Sequence, residues 1–293
     1  MEAKKFFAIR RDDRFSPNSV EKDRCILQAV CDELRRKLEL EDDIRMLDEA
    51  DLSHNSDKVG CYISMARSDE ALQRLSVMES QGSLVVNSPK AVKLCRRSLL
   101  DDLMRENHIP MPEKESSRGY WLKRGDAAAQ SNKDVVFCFD TESLARAKAD
   151  FLDRGIHDMV VSAHVSGDLV KFYGVGTRFF KYFYPSDDGI SKFGDESRNG
   201  KAHHYLFDIN ALRTDVSKLA ELTGVDIYGG DAIVGRDGRY YIIDFNDWPS
   251  FSRCREEAAK AIAAEIISKH YGLVNIHLGG RKQTTNIKRN GYV

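Results

Sequence analysis

The side chains best suited to chemistry are Asp231, Asp244 and Asn246, which lie in a stretch with the pattern of a β-hairpin. Asp237-Gly238 separates its two β-like runs, and an Asp-Gly pair favours a two-residue turn because both turn positions need positive φ. A turn there places Asp231 directly opposite Asp244. Asn246 lies two residues further along the same strand and therefore shares the face of Asp244.

This arrangement predicts a divalent metal site. Two carboxylates that face each other across paired strands repel, and a cation between them removes the repulsion. Mg²⁺ takes hard oxygen ligands, typically one or two carboxylates together with phosphate oxygens and water. The opposite face of the second strand carries Ile243 and Phe245, which suits packing against a core. The alternative interpretation is a solvated edge hairpin whose acidic residues only keep it soluble.

A lysine on another strand is a candidate phosphate ligand. The apolar strand predicted at 120–124 includes Lys123 and is followed by the small residues 127–129. A fixed cation beside a loop with little side-chain bulk suits a polyphosphate. The alternative is an ordinary exposed lysine at the end of a strand.

A third candidate segment lies near the middle of the chain. The strand predicted at 159–165 is followed by Ser166-Gly167-Asp168 and by Lys171. Exposed backbone at the end of this strand can hydrogen-bond a nucleobase, and Asp168 can hold a ribose hydroxyl. Two core strands joined by a glycine turn would have the same pattern.

The hydrophobic pattern predicts an α/β fold. Residues 1–85 follow the order β-α-β-β-α-β, which is typical of a small open α/β lobe. Short strands and helices alternate after it, and an amphipathic helix is predicted at 255–270. The polar segment 185–203 predicts a long functional or mobile loop. The tail from about residue 279 is polar and basic, as is typical of disordered termini.

Composition narrows the function classes. The 293 residues include 45 Lys and Arg against 46 Asp and Glu, so the basic excess typical of nucleic-acid-binding proteins is lacking. No apolar run approaches the roughly 20 residues of a membrane-spanning helix, and the N-terminal residues lack a signal-peptide core. Six scattered cysteines without a Cys-x-x-Cys pair indicate reduced thiols rather than a zinc or dithiol site. We therefore expect a cytoplasmic protein that binds neither nucleic acid nor membrane.

The order of these motifs resembles the ATP-grasp superfamily. The segments that carry the resemblance are YWLKRGDA, VVSAHVSGDLVKFYGVG and GRYYIIDFNDWPSF. The resemblance implies two α+β subdomains that clamp ATP, preceded by the small α/β lobe. It divides the chain into an N-terminal lobe, a nucleotide subdomain, a metal-binding subdomain and a tail, at 1–85, 86–165, 166–275 and 276–293.

The resemblance also implies roles for individual residues. Lys123 and Arg97 (or its neighbour Arg96) would bind phosphates, and Asp168 would lie near the ribose. The segment Ser162, Ala163 and His164 would bind adenine through its backbone. The magnesium ligands would be Asp231, Asp244 and Asn246. The strand residues assigned to phosphate or acceptor binding, as catalytic candidates, are Lys171, Arg178 and Lys181.

The chemistry implied is an ADP-forming ligation. ATP with Mg²⁺, or Mn²⁺ in its place, phosphorylates a small-molecule carboxylate, and an amine or similar nucleophile then displaces phosphate. Inositol-phosphate kinases of the same superfamily share the Asp-x-Asn-x-x-Pro pattern, so a small-molecule kinase is the alternative. A nucleotide-binding module without turnover is the third hypothesis. The acceptor cannot be read from the sequence, and a homodimer stays open.

Overall fold

The computed structural model describes residues 6–39, 44–54, 59–126, 131–188 and 200–279. The alanines at 127–129, most of the segment 185–203 and the tail beyond 279 lie outside the described residues. The strands are β1 (Phe6–Arg10), β2 (Ile44–Asp48), β3 (Cys61–Ser64), β4 (Leu84–Val86), β5 (Tyr120–Arg124), β6 (Val135–Cys138), β7 (Met159–Ala163), β8 (Asp168–Val175), β9 (Phe179–Phe183), β10 (Ile227–Val234) and β11 (Tyr240–Asp247). The helices are α1 (Val20–Leu38), α2 (Asp69–Ser80), α3 (Pro89–Leu94), α4 (Arg97–Glu106), α5 (Thr141–Asp153), α6 (Ile209–Thr223) and α7 (Arg255–Gly279).

The strands form three sheets in chain order. The first is parallel, with the order β2-β1-β3-β4. The second is antiparallel, with the order β6-β5-β7. The third is also antiparallel, with the order β11-β10-β8-β9. This mixture of sheets and helices confirms the predicted α/β fold class.

Each antiparallel sheet buries one face against a helix. α5 covers the second sheet through a core that includes Leu122 and Phe151. α6 covers the third sheet through a core that includes Phe172, Val216 and Phe245. The other face of the third sheet packs partly against α7 through a core that includes Tyr173 and Val175.

The C-terminal helix joins the first and third sheets. One core contains residues of α1, such as Ile26 and Val30, together with Ile262 and Ile266 of α7. The same core contains the fully buried Trp248, which follows β11. α7 extends past the predicted end at 270 to Gly279. Among the described residues, no helix combines the length and apolar character needed to cross a membrane.

A buried asparagine ties the first sheet to the third. Asn87 follows β4 and is 1% exposed. Its side-chain amide donates to the carbonyl of Ile227 at 2.8 Å, and its side-chain oxygen accepts from the N–H groups of Asp226 and Ile227, both at 2.9 Å. Three backbone groups at the start of β10 therefore depend on one side chain.

We expect Asn87→Ala to lower the free energy of unfolding by about 3 kcal/mol, because it leaves three buried backbone groups without a partner. Asn107→Ala is the matched control, since Asn107 donates a single hydrogen bond to Leu103 at the end of α4. Urea denaturation of both variants measures the difference. Equal losses would contradict the assigned role of Asn87.

Candidate functional site

The hairpin closes with a longer loop than the sequence predicts. The N–H of Gly235 donates to the carbonyl of Arg239 at 2.8 Å, so the loop is 236–238. Gly238 has φ +78°, a left-handed conformation that glycine adopts without strain. Three-residue loops of this kind are the next most common hairpin connection after two-residue turns. The predicted two-residue turn is therefore wrong, because the loop is one residue longer.

A β-bulge in β11 compensates for the longer loop. Ala232 pairs with Ile242, whereas the next residue, Asp231, pairs with Asp244, so Ile243 is the extra residue. The predicted pairing of the two aspartates is thus observed because two one-residue shifts cancel. The bulge also changes which side chains of β11 face the core. Ile242 packs in the core with Phe245. Ile243 is only partly buried, so the prediction that it faces the core is wrong.

Three charges form a row across the third sheet. On β8, Lys171 pairs with Asp231 on β10, which pairs in turn with Asp244 on β11. The Lys171 amine lies 2.5 Å from a carboxylate oxygen of Asp231. β11 is the edge strand of this sheet, but the aspartate side chains are only 22% and 27% exposed, which disfavours the interpretation as a solvated hairpin.

Two further cations reach this row from other elements. Lys123 on β5 donates from its amine to the carbonyl of Ile243 at 2.8 Å, which links the second sheet to the bulge of the third. Arg97 at the start of α4 has one guanidinium nitrogen 3.9 Å from Asp244 and donates from the other to the carbonyl of Arg124 at 2.6 Å. The facing aspartates are therefore surrounded by positive charge from three elements.

The cations and carboxylates shift each other's pKa. Burial lowers the pKa of the Lys123 amine to about 8, and the neighbouring Arg97 acts in the same direction. Burial would raise the pKa of Asp244, but Arg97 and Lys123 outweigh it and hold that pKa below its ordinary value. Burial would lower the pKa of the Lys171 amine, but its partner Asp231 outweighs burial and raises that pKa above its ordinary value. Asp244 is therefore ionised at neutral pH.

The oxygen donors suit magnesium better than a transition metal. Asp231, Asp244 and Asn246 supply two carboxylates and an amide, and the Asn246 amide nitrogen lies 3.0 Å from Asp244. No group of three or more His, Cys, Asp and Glu side chains with metal-binding geometry occurs within the described part of the chain. A magnesium ion at this position would need further oxygens from phosphate and water. The buried Nε of Arg97, which has no hydrogen-bond partner among the described residues, suits a phosphate oxygen.

The Lys123 face of the second sheet also carries aromatic rings. Trp121 lies two residues before Lys123 on the same face and pairs directly with Phe137 on β6. Their ring centroids are 5.2 Å apart, and the Trp121 indole N–H donates to Nδ1 of His164 at 3.2 Å. The sequence analysis missed Trp121 and Phe137, although the spacing of Trp121 from Lys123 was a usable signal.

A buried ion-pair network joins the end of β11 to the first sheet. Asp247 is 3% exposed and accepts from Arg67 at 2.7 Å and from Arg11 at 3.4 Å. Arg11 also pairs with Asp23 on α1 at 3.0 Å. The sequence analysis missed these residues, because Arg11 and Arg67 lie 236 and 180 residues from Asp247 and no local spacing relates them to it.

Comparison with solved structures identifies the fold. D-alanine–D-alanine ligase from Bacillus anthracis gives a TM-score of 0.62 at 10% identity, over 94% of this chain and 100% of that chain. A RimK domain ATP-grasp protein from Sphaerobacter thermophilus gives 0.59 at 17% identity, over 89% and 99%. ATP-grasp ligase PsnB with a minimal precursor gives 0.54 at 14% identity, over 91% and 99%. No protein-family model and no curated protein matches the sequence.

The chain has the ATP-grasp fold. This confirms the resemblance drawn from the three sequence segments. Identities of 8–17% show the fold alone and fix neither a reaction nor a substrate.

The segment expected to bind adenine already uses part of its backbone. The N–H of Ala163 donates to the carbonyl of Glu113 at 2.7 Å, and the N–H of His164 donates to the carbonyl of Gly119 at 2.9 Å. Ser162 lies opposite Trp121 in the second sheet. Two of the backbone donors that were assigned to the base are therefore already occupied.

The Asp168 carboxylate is already bound within the protein. Its side chain is fully buried, and its two oxygens accept from the backbone N–H groups of His203 at 2.8 Å and Tyr205 at 2.9 Å. The carboxylate therefore fixes the segment that leads into α6. These contacts give the ribose assignment no support, and it stays a prediction.

Arg178 and Lys181 are also placed away from the acidic pair. Arg178 donates to Glu265 on α7 at 2.7 Å, and Lys181 forms an ion pair with Glu257 on the same helix. Their assignment as catalytic residues stays a prediction, and the carboxylates that they contact belong to α7 rather than to the acidic pair. Lys171 alone of the three catalytic candidates contacts the site.

We expect the affinity for ATP to fall as the pH rises through the lowered pKa of Lys123. The amine is cationic below about 8 and neutral above it, so phosphate binding is lost on the alkaline side. Titration with ATP in EDTA, where only protein cations act on the phosphates, should show about tenfold weaker binding at about pH 9 than at about pH 7.

Lys123→Arg is the matched control for this titration, since arginine stays charged over the whole range. Its affinity for ATP should be nearly independent of pH. The same alkaline loss in both proteins would exclude Lys123 as its cause.

Proposed function

We propose that this protein is an ATP- and Mg²⁺-dependent ligase that activates a carboxylate and joins it to an amine or similar nucleophile, with release of ADP and phosphate. The observation that carries the proposal is the facing pair Asp231 and Asp244, surrounded by Lys171, Lys123 and Arg97. Buried carboxylates of this kind are costly unless cations balance them. An array of two carboxylates and three cations is well suited to hold a magnesium–polyphosphate.

The nucleotide would lie between the second and third sheets. Lys123 and Arg97 would bind phosphate oxygens, as charge-assisted hydrogen bonds to phosphate are strong. The rings of Trp121 and Phe137 extend from Lys123 along the same face and offer a stacking surface for the base.

The proposed division of the chain at residues 85 and 165 is supported by the separate sheets, whereas α7 crosses the proposed boundary at 275.

Magnesium held by Asp231, Asp244 and Asn246 would neutralise charge on the transferred phosphoryl group. A carboxylate oxygen of the acceptor attacks the γ-phosphorus, and the bond to the β-γ bridging oxygen breaks, so that ADP leaves with the electron pair. The amine then attacks the acyl carbon, phosphate leaves, and the amine loses a proton. Positioning and charge neutralisation by this chain's own lysines and arginine provide most of the rate.

Ligation is favoured over the kinase alternative by the solved structures of similar fold, which are titled as ligases. A further structure of PsnB is a complex with Mg and ADP. Both reactions share the first step, so the fate of the phosphoryl group separates them.

The Asp244→Asn variant should lose magnesium-dependent ATP turnover by about 100-fold or more, because a neutral amide is a poor Mg²⁺ ligand. The matched control is Asp237→Asn, since Asp237 is an exposed loop residue that pairs only with Arg239. Turnover is measured over a magnesium titration. Unchanged turnover in Asp244→Asn would remove the metal-site assignment.

Incubation with ATP, Mg²⁺ and pooled carboxylates and amines should release inorganic phosphate in equal amount to a condensed product. Mass spectrometry of the products and a phosphate assay measure both. A phosphorylated metabolite without free phosphate would establish the kinase instead. Tight ATP binding without either product would support the module without turnover.

A further inference from the structure

A cleft of about 310 Å³ lies between the first sheet and the end of β11. Its wall on the side of the first sheet includes Arg14 and Arg67, which follow the carboxyl ends of β1 and β3. Asp244 and Asn246 form part of the opposite wall. A molecule in this cleft would therefore lie beside the proposed metal site, where an acceptor has to be.

The cleft is rich in arginine. Four aspartates accompany five arginines in its wall, and the arginines are Arg14, Arg67, Arg96, Arg97 and Arg124. Asp244 belongs to the proposed metal site, and Asp247 is held by the buried network. The acidic groups that remain in the wall, Asp69 and Asp126, are 73% and 44% exposed.

Two of the arginines have only weak partners. Arg14 lies 3.5 Å from Asp12, and both side chains are substantially exposed, at 57% and 38%. Arg96 pairs with Asp69, the more exposed of the two remaining aspartates. Exposed ion pairs contribute little to stability, so an anionic ligand can take over either arginine at small cost.

Arg67 adds an unsatisfied donor to the same wall. Its Nε is buried and, within the described residues, has no hydrogen-bond partner. Its terminal nitrogen is held by Asp247 at 2.7 Å, which fixes the guanidinium in place. A fixed guanidinium with an open donor is suited to bind a carboxylate.

From this cluster, and resting on the proposed function, we infer that the acceptor is a polycarboxylate. One carboxylate receives the phosphoryl group, and at least one further carboxylate binds Arg14, Arg67 and Arg96. The volume of the cleft accommodates one small molecule or the end of a chain. Free dicarboxylates and acidic peptide ends share this chemistry.

Calorimetric titration of the full chain tests the inference, both without nucleotide and with Mg²⁺ and a non-hydrolysable ATP analogue. The probes are glutarate, its half-amide glutaramate, butyrate, triglutamate and triglutamine. Glutarate or triglutamate should bind about tenfold more tightly than its amide counterpart, since each lost charge-assisted hydrogen bond weakens binding by about this factor. Binding of triglutamate but not glutarate would identify an acidic peptide end as the source.

Arg14→Gln and Arg96→Gln should each weaken binding of the preferred acidic probe by about tenfold, and Arg14→Gln should leave nucleotide affinity unchanged. Arg36→Gln is the matched control, because Arg36 is an exposed arginine that pairs with Glu33 on α1 away from the cleft. It should bind the acidic probe as the wild type does.

Equal binding of the acidic and amide probes, no binding of any probe, or no effect of Arg14→Gln and Arg96→Gln would overturn the inference. These outcomes are distinguishable from failure of the proposed function. In that failure the ATP analogue does not bind, whereas the titrations without nucleotide still report whether the arginine cluster selects polycarboxylates.

Discussion

The structure depends on the balance of charge around two facing carboxylates. Asp231 and Asp244 repel each other across β10 and β11, and Lys171 of the same sheet neutralises only part of that repulsion. The remaining positive charge comes from Lys123 on the second sheet and Arg97 on α4. Removal of one member of a buried ionic cluster leaves an uncompensated charge. The array therefore holds the second and third sheets together at the point where a nucleotide would bind.

A second buried cluster performs the same task for the first sheet. Arg11 and Arg67 converge on Asp247, the last residue of β11 and the neighbour of Asn246. All three sheets thus meet at one strand end, and the arginine-rich cleft opens beside that point. Arg67 belongs both to the buried network and to the wall of the cleft, so it links the proposed acceptor site to the end of the strand that carries the proposed metal ligands.

Three candidate site residues have protein partners that the sequence analysis did not predict. Asp168, Arg178 and Lys181 lie on or beside predicted strands, and strand periodicity indicates the face that a side chain occupies but not what packs there. The backbone of 203–205 returns to Asp168, and α7 returns to Arg178 and Lys181. These partners are distant in the chain, so no local pattern distinguishes a ligand-binding charge from one already satisfied.

The sequence alone determined the α/β class and the order of the motifs, because alternation along a strand acts over a few residues. The pairing of Asp231 with Asp244 agrees with the prediction only because the longer loop and the bulge cancel. The tertiary structure decided the rest of the site. Only packing of the second sheet against the third brings the Lys123 amine to the carbonyl of Ile243, and the bulge that presents this carbonyl is set by the pairing of β11 with β10. Contacts of this kind arise between segments more than a hundred residues apart, where local sequence rules have no reach.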